Sequence, residues 1–380
     1  KGADPPQDAV NPASLVSNSF SIGAERALVN GEIVPASIVV KDGVIASVEI
    51  APRNVSCDIN ITEGVLSPGF IDCQINGVGE INFFDADKNE LALALTTLAR
   101  HGVTSCTPSM ISAPIGELVS AIRQSDCGEI GLGRARHLGY HIEGPFLADQ
   151  FARAHNSRYF SDPTTELLEP LLDTGRIAII TLAPERHGAP SVIERAAAAG
   201  VIVSAGHSGA TFDQMRIAHQ AGLSMITHLF NGMSKKLDEG IVRAAQEISD
   251  VTVGLIADGI HNDKEKVRWA FNVMADRIAL VTDALATRIG DQEIHVRDGG
   301  GYRKDGTLAG STLTLDQVVA RAVAMGVPLA QALTSATAIP ARLLGRHNLG
   351  EIKVGALADL TCFTEGGSIR TWIGGVEVSQ

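Results

Sequence analysis

The run from Val201 to Met233 constrains this chain more than any other. It reads VIVSAGHS, continues through Phe212–Ala221 with apolar positions at helical spacing, and closes on SMITHLFNGM. An apolar run rich in β-branched residues ends in His207, and a second apolar run ends in His228. Strand, histidine, helix, strand, histidine is the pattern of two parallel strands joined by a crossover helix. Such strands deliver their last side chains to the C-terminal edge of a sheet, where α/β folds build active sites. Imidazole is the commonest protein ligand for a borderline metal such as Zn²⁺. A single histidine there reads more readily as a satisfied core residue. Two at equivalent strand ends favour ligands.

The flanking sequence extends the pattern. Candidate strands are 65–76, 103–109, 138–144, 177–183, 201–207, 224–228, 251–258 and 278–283. Helix-like segments at 90–100, 115–124, 165–172, 191–199, 212–221, 242–247 and 262–275 lie between them, and 315–325 and 329–344 follow. Eight β-α units predict a (β/α)₈ TIM-type barrel over 65–345. A doubly wound sheet is the alternative, but no GxGxxG follows the first strand. Residues 20–64 read instead as short alternating runs separated by NG and DG pairs, which are hairpin signals. Similar runs return in 346–380 around a GG pair. The two chain ends are expected to form one β-sandwich domain, with 1–19 as an aperiodic tail.

The 380 residues carry a formal charge of −12, which disfavours nonspecific nucleic-acid binding. No apolar run is long enough to span a bilayer, and no signal-peptide pattern opens the sequence. The five cysteines are scattered without a CxxC, so reduced thiols in a cytoplasmic protein are expected.

Read at the strand ends, the chemistry converges. The third strand ends in Glu143, the fifth and sixth in His207 and His228, and the eighth in Asp283. One carboxylate and two imidazoles make a catalytic zinc set that leaves a coordination position open. Asp283 across the barrel is the natural general base. Taken singly, Asp283 could equally be a helix cap and Glu143 half of a buried ion pair.

The segments PGFIDCQING, HIEGPF, TLAPE, AGHS, THLFNGM, IADGIH, VTDA and LAGSTLT occur in this order over most of the chain. Together they closely resemble the N-acetylglucosamine-6-phosphate deacetylases of the amidohydrolase superfamily. The resemblance implies a metal-dependent barrel flanked by a β-sandwich. It also implies an amino-sugar substrate, and a homodimer whose active sites lie near the subunit interface. It makes Glu143, His207 and His228 the metal ligands and Asp283 the acid/base. His155, in Arg153-Ala154-His155, would polarise the acyl carbonyl. Ala154, Asn231, Gly232, Asp258, Gly259, Ile260, His261, Leu308, Ala309 and Gly310 fall in substrate-contacting segments.

Gln74 and Asn76 stand where many amidohydrolases have His-x-His. Neutral amides are poor Zn²⁺ ligands, so one divalent metal per chain is expected, Zn²⁺ first, with Fe²⁺, Co²⁺ or Mn²⁺ as alternatives. Both amides could still bond the nucleophilic water. Two departures concern the phosphate. The family's phosphate-pairing Arg segment reads SKKLDEG here, without Arg, leaving Lys235 and Lys236 as candidate contacts. Glu80 also stands where the family has Gly. A related N-acetyl sugar, either N-acetylgalactosamine 6-phosphate or an unphosphorylated one, and a catalytically silent sugar-phosphate sensor are the alternative functions.

Overall fold

The computed structural model describes residues 19–52, 56–129, 131, 133–289 and 292–379. All of the expected tail except Ser19 lies outside the described residues.

Eight parallel strands form the central sheet: Phe70–Ile75, Val103–Met110, Tyr140–Glu143, Ile177–Leu182, Ile202–Ala205, Leu223–Ile226, Thr252–Leu255 and Ile278–Leu280. Each pairs with the next in chain order. The first and eighth meet just beyond their ends. There the Asp283 N–H donates to the Gln74 carbonyl at 2.8 Å and the Asn76 N–H to the Ala284 carbonyl at 2.7 Å. These bonds close the barrel. Val103–Met110 is buried at every position, as a strand with helices on one face and the barrel interior on the other must be.

The helices outside it each bury one stripe. Lys88–Arg100 buries Leu91, Ala94, Leu95, Leu98 and Ala99, the i, i+3, i+4 set of one face. Asp87 and Glu90 close a reciprocal capping box at its start, and Thr211 with Gln214 does the same for Phe212–Gln220. The expected helix over 329–344 is two, Leu329–Ser335 and Ala338–Leu343. Thr337 between them has φ −132° and ψ −83°, outside the helical region.

The expected first strand, 65–76, also divides. Val65–Pro68 pairs antiparallel with Leu360–Thr364, in the sheet of the chain ends, whereas Phe70–Ile75 opens the barrel. One apolar run thus serves two sheets. Gly69 makes the corner, where a Cβ would lie 2.1 Å from the Thr104 side chain. Around Val65–Pro68 the two termini join edge to edge into one sheet that includes Ser19–Val29, Glu32–Lys41, Val44–Ile50 and Gly367–Ile373. Its tight turns follow the sequence signals. Asn30-Gly31 and Asp42-Gly43 have positive φ at both positions, the type I′ requirement. The sheet rolls until Val44 bridges Leu357, enclosing Ile22, Ile38, Val40, Leu66, Leu360 and Trp372.

The segment 288–311 is assigned no strand or helix by the sequence pattern. It holds short antiparallel strands, including His295–Arg297, Gly300–Tyr302 and Leu308–Ser311. A bridge from Ser311 to Ala284 fixes this insertion beside the eighth strand end.

Candidate active site

At the C-terminal mouth of the barrel the structure brings Glu143, His207 and His228 together. Glu143 Oε1 lies 2.9 Å from His228 Nε2 and 3.1 Å from His207 Nε2. The two Nε2 atoms are 3.1 Å apart. All three residues are buried. His207 Nδ1 is 2.7 Å from the Phe151 carbonyl. A carbonyl only accepts, so Nδ1 carries the proton and Nε2 presents a lone pair to the cluster. Burial works against charge on Glu143, but the imidazoles of His207 and His228 beside it outweigh it and hold the carboxyl well below its usual range. Burial likewise opposes charge on His228, yet Glu143 draws that imidazole up to about 9. The donor set therefore demands positive charge at its centre. Separations near 3 Å are also about the edge length of a polyhedron with bonds of ~2.0–2.2 Å. The residues fit a divalent cation.

Facing this cluster is Asp283. Asn76 Nδ2 donates to its Oδ1 at 2.8 Å and Gln74 Nε2 at 3.3 Å. The Gln74 amide is also 3.3 Å from Glu143 Oε2. Desolvation and the Glu143 charge push Asp283 up to about 6, against opposing pulls from His228, His261 and Asn76. Its proton affinity is thereby moved toward neutrality, where a carboxylate can both take and return a proton.

His155 stands 3.8 Å from Glu143 Oε2. Its Nδ1 accepts the Ser112 backbone N–H at 3.2 Å, which places the ring proton on Nε2, facing the cluster. Burial, then the positive potential of His207, pushes His155 down to about 3, so the ring is a neutral donor. His261 Nδ1 is 2.6 Å from Asp258 Oδ2, and Asp258 Oδ1 accepts two backbone N–H groups at 2.8 Å. His261 thus reaches the site in a fixed orientation.

His207, His228 and Asp283 have φ of 47°, 29° and 46°. This region is uncommon for residues with a Cβ, costs of order 1–3 kcal/mol each and clusters at functional sites. Gly232 has φ 58° and packs where a Cβ would lie 2.9 Å from His207 Nδ1. A Cβ on Gly310 would fall 2.7 Å from Leu285 and 3.0 Å from the Asp283 carbonyl, so only glycine lets that strand lie so close.

A cavity of about 260 Å³ opens above these groups. Glu143, His155, His207, His228, Asp283, Asn76, Ala154, Asn231, Gly232, Ile260, His261, Leu308, Ala309 and Lys235 line it. Gln74, Asp258, Gly259 and Gly310 do not; Gln74 and Asp258 act through the side chains they hold. Lys236 also lies elsewhere. It is exposed and paired with Glu239 at 2.9 Å. Glu80 is exposed and off the cavity wall. Arg153, Arg303, Ile111 and Leu285 also line the cavity, and the sequence pattern does not single them out. Arg153 directly precedes Ala154, but nothing in its spacing marks it. Arg303 sits in the unassigned insertion.

A barrel with two imidazoles and a carboxylate at its strand ends, faced by a second carboxylate, defines a metal-dependent hydrolase. The amidohydrolase family profile matches residues 65–378. The N-acetylglucosamine-6-phosphate deacetylase of Haemophilus influenzae is 31% identical over 357 residues, covering 89% of this chain and 90% of that protein. The N-acetylgalactosamine-6-phosphate deacetylase of Escherichia coli O157:H7 is 31% identical over 356 residues, covering 88% and 93%. A mutant N-acetyl-D-glucosamine-6-phosphate deacetylase from Mycobacterium smegmatis, solved with N-acetyl-D-glucosamine-6-phosphate, aligns with TM-score 0.86 and 30% identity over 95% of this chain and 100% of that one. The chain belongs to the amidohydrolase family and, within it, to the N-acetylglucosamine-6-phosphate deacetylases. It is a hydrolase of a family whose members bind a divalent metal, and Glu143, His207 and His228 form a buried group that could hold one. Among the described residues no helix is long and apolar enough to cross a membrane.

Proposed function

We propose that the chain hydrolyses the acetamide of N-acetyl-D-glucosamine 6-phosphate to glucosamine 6-phosphate and acetate, in amino-sugar catabolism. The observation that carries this reading is Asp283, held by Asn76 and Gln74 in the same cavity as the Glu143–His207–His228 cluster. A divalent cation at that cluster supplies charge that acidifies water and polarises a carbonyl oxygen. Asp283 takes the proton of the attacking water and returns it to the departing amine nitrogen. His155 donates its Nε2–H to the acetamide oxygen as that oxygen gains charge. His261, steadied by Asp258, offers its free ring nitrogen to a sugar hydroxyl. A sugar-phosphate sensor without turnover would need none of this proton machinery.

One metal per chain is supported by Gln74 and Asn76, neutral amides whose nitrogens are committed to Glu143 and Asp283 and whose oxygens are poor Zn²⁺ ligands. Zn²⁺ suits two imidazoles and a carboxylate, and Fe²⁺, Co²⁺ and Mn²⁺ accept the same set. The homodimer rests on the family resemblance. A reducing, cytoplasmic setting is supported by five unpaired cysteines, four of them buried.

The galacto isomer is the second reading, favoured by the E. coli relative at equal identity. Acetate release from both 6-phosphates and from unphosphorylated N-acetylglucosamine tests the assignment. The expected result is highest kcat/KM for the gluco 6-phosphate, loss on chelation and recovery with Zn²⁺. A higher value for the galacto isomer moves the assignment to that sugar. No acetate from any of the three with metal-loaded protein removes it.

A further inference from the structure

Three cations, Arg153, Lys235 and Arg303, line the cavity above the metal cluster. They come from three separate loops, after the third, sixth and eighth strands. Among the described residues, the only carboxylates lining that cavity are Glu143 and Asp283. Both are already committed on its floor, Glu143 to two imidazoles and Asp283 to two amides. Other cations nearby are neutralised: Lys236 pairs with Glu239, and Lys266 pairs with Asp263. No ion pair is formed by Arg153, Lys235 or Arg303 among the described residues.

Arg303 is half-buried and held in place, and Arg153 and Lys235 are exposed on the rim beside it. Arg303 donates to the Ala154 carbonyl at 2.8 Å, tying the insertion to the loop that carries His155. That bond uses one of five guanidinium donors, and among the described residues the Arg303 side chain makes no other hydrogen bond. Arg153, next to the same carbonyl, has φ 52°, a conformation that few side chains adopt without a compensating interaction. Like charges confined beside a cavity repel. Burial, then Lys266 and Arg153, lowers the proton affinity of Lys235. A bound anion would relieve that repulsion, and two guanidinium forks suit the tetrahedral oxygens of a phosphate better than point charges do.

We propose that Arg153, Lys235 and Arg303 of a single chain form an anion subsite for the phosphate monoester of the substrate. This rests on the sugar-phosphate deacetylase reading above. It places phosphate recognition within one chain, on residues for which SKKLDEG gave no sign.

The test compares kcat/KM for N-acetylglucosamine 6-phosphate and N-acetylglucosamine in Zn²⁺-loaded wild type, Arg153→Gln, Lys235→Gln, Arg303→Gln, Arg303→Lys and Lys236→Gln. Losing a charge-assisted contact should lower the ratio of the two values by about 10–100-fold for each Gln variant at Arg153, Lys235 or Arg303, chiefly through KM. Arg303→Lys should retain part of the ratio, and Lys236→Gln all of it. General damage to the fold lowers both sugars together and leaves the ratio unmoved. An unmoved ratio in Arg153→Gln and Arg303→Gln overturns the subsite. If neither sugar is deacetylated, the catalytic reading fails separately, and calorimetric titration with inorganic phosphate decides the subsite. Binding by wild type that is weakened at least tenfold in Arg303→Gln supports it. No binding by wild type, or equal binding by both, overturns it.

Discussion

The floor and the rim of the cavity are built on opposite principles. Glu143, His207, His228 and Asp283 project from the ends of barrel strands and are crossed by hydrogen bonds of 2.8–3.3 Å. Arg153, Lys235 and Arg303 hang from loops, are half-buried or exposed, and form no ion pairs among the described residues. A dry, cross-braced floor positions charge for chemistry, where an ångström matters. A wet, cationic rim attracts and holds a charged handle, where placement is forgiving and salt competes. The reaction and its selectivity should therefore be separable by mutation.

The strongest test of that separation is Glu143→Ala. It removes the central ligand, so metal content should fall from about one ion per chain to near zero, with turnover reduced to background. Elemental analysis alongside acetate release reads both. Two tightly held ions in the fully active wild type would refute the single-metal expectation. Asp283→Asn should come next, lowering kcat by about 10²–10⁴-fold while the metal stays bound. Near-normal turnover in that variant would take Asp283 out of the proton path.

A smaller effect concerns stability. The folded-state value of about 6 for Asp283 lies above the ordinary carboxylate value. Below pH ~4 this group favours the folded state, and that contribution, of order 1–3 kcal/mol, is lost as pH rises through about 6. Chelated wild type should accordingly lose more thermal stability between pH 4 and 7 than chelated Asp283→Asn. Parallel melting curves for the two would exclude it. Smallest is the response of the rim to salt. Raising ionic strength from about 0.05 to 0.5 M should increase KM for the phosphorylated sugar a few-fold and leave that of the unphosphorylated sugar nearly constant. Equal sensitivity of both would erase the distinction between floor and rim.

The same contrast governs what could be read from sequence. Floor residues follow apolar runs, so the period that marks the strand also marks its end. That is how His207 and His228 stand out without any structure. The helix 165–172 was legible for the same reason, with Thr164 capping it and Leu168 and Leu171 turned inward. The end sheet announced itself through Asn30-Gly31 and Asp42-Gly43, whose left-handed turns few other residues form. What failed was local pattern without local punctuation. The apolar run 65–76 reads as one strand because both of its halves are buried, although they belong to different sheets. The insertion after Asp283 is made of strands two to four residues long, too short for alternation to register. Arg303 was lost with it. Lys235 and Lys236 are neighbours in sequence and both exposed, but only Lys235 borders the cavity.

The left-handed backbone at His207, His228 and Asp283 sets function against folding. Glycine adopts that conformation freely, so Asp283→Gly should be more stable than Asp283→Ala, by about 0.5–1 kcal/mol, the reverse of the order found in helices and strands. A library selected for heat resistance alone, with no demand for turnover, should drift toward glycine and asparagine at these three positions. The residues that define this enzyme are the ones its fold would discard first if catalysis ceased to matter.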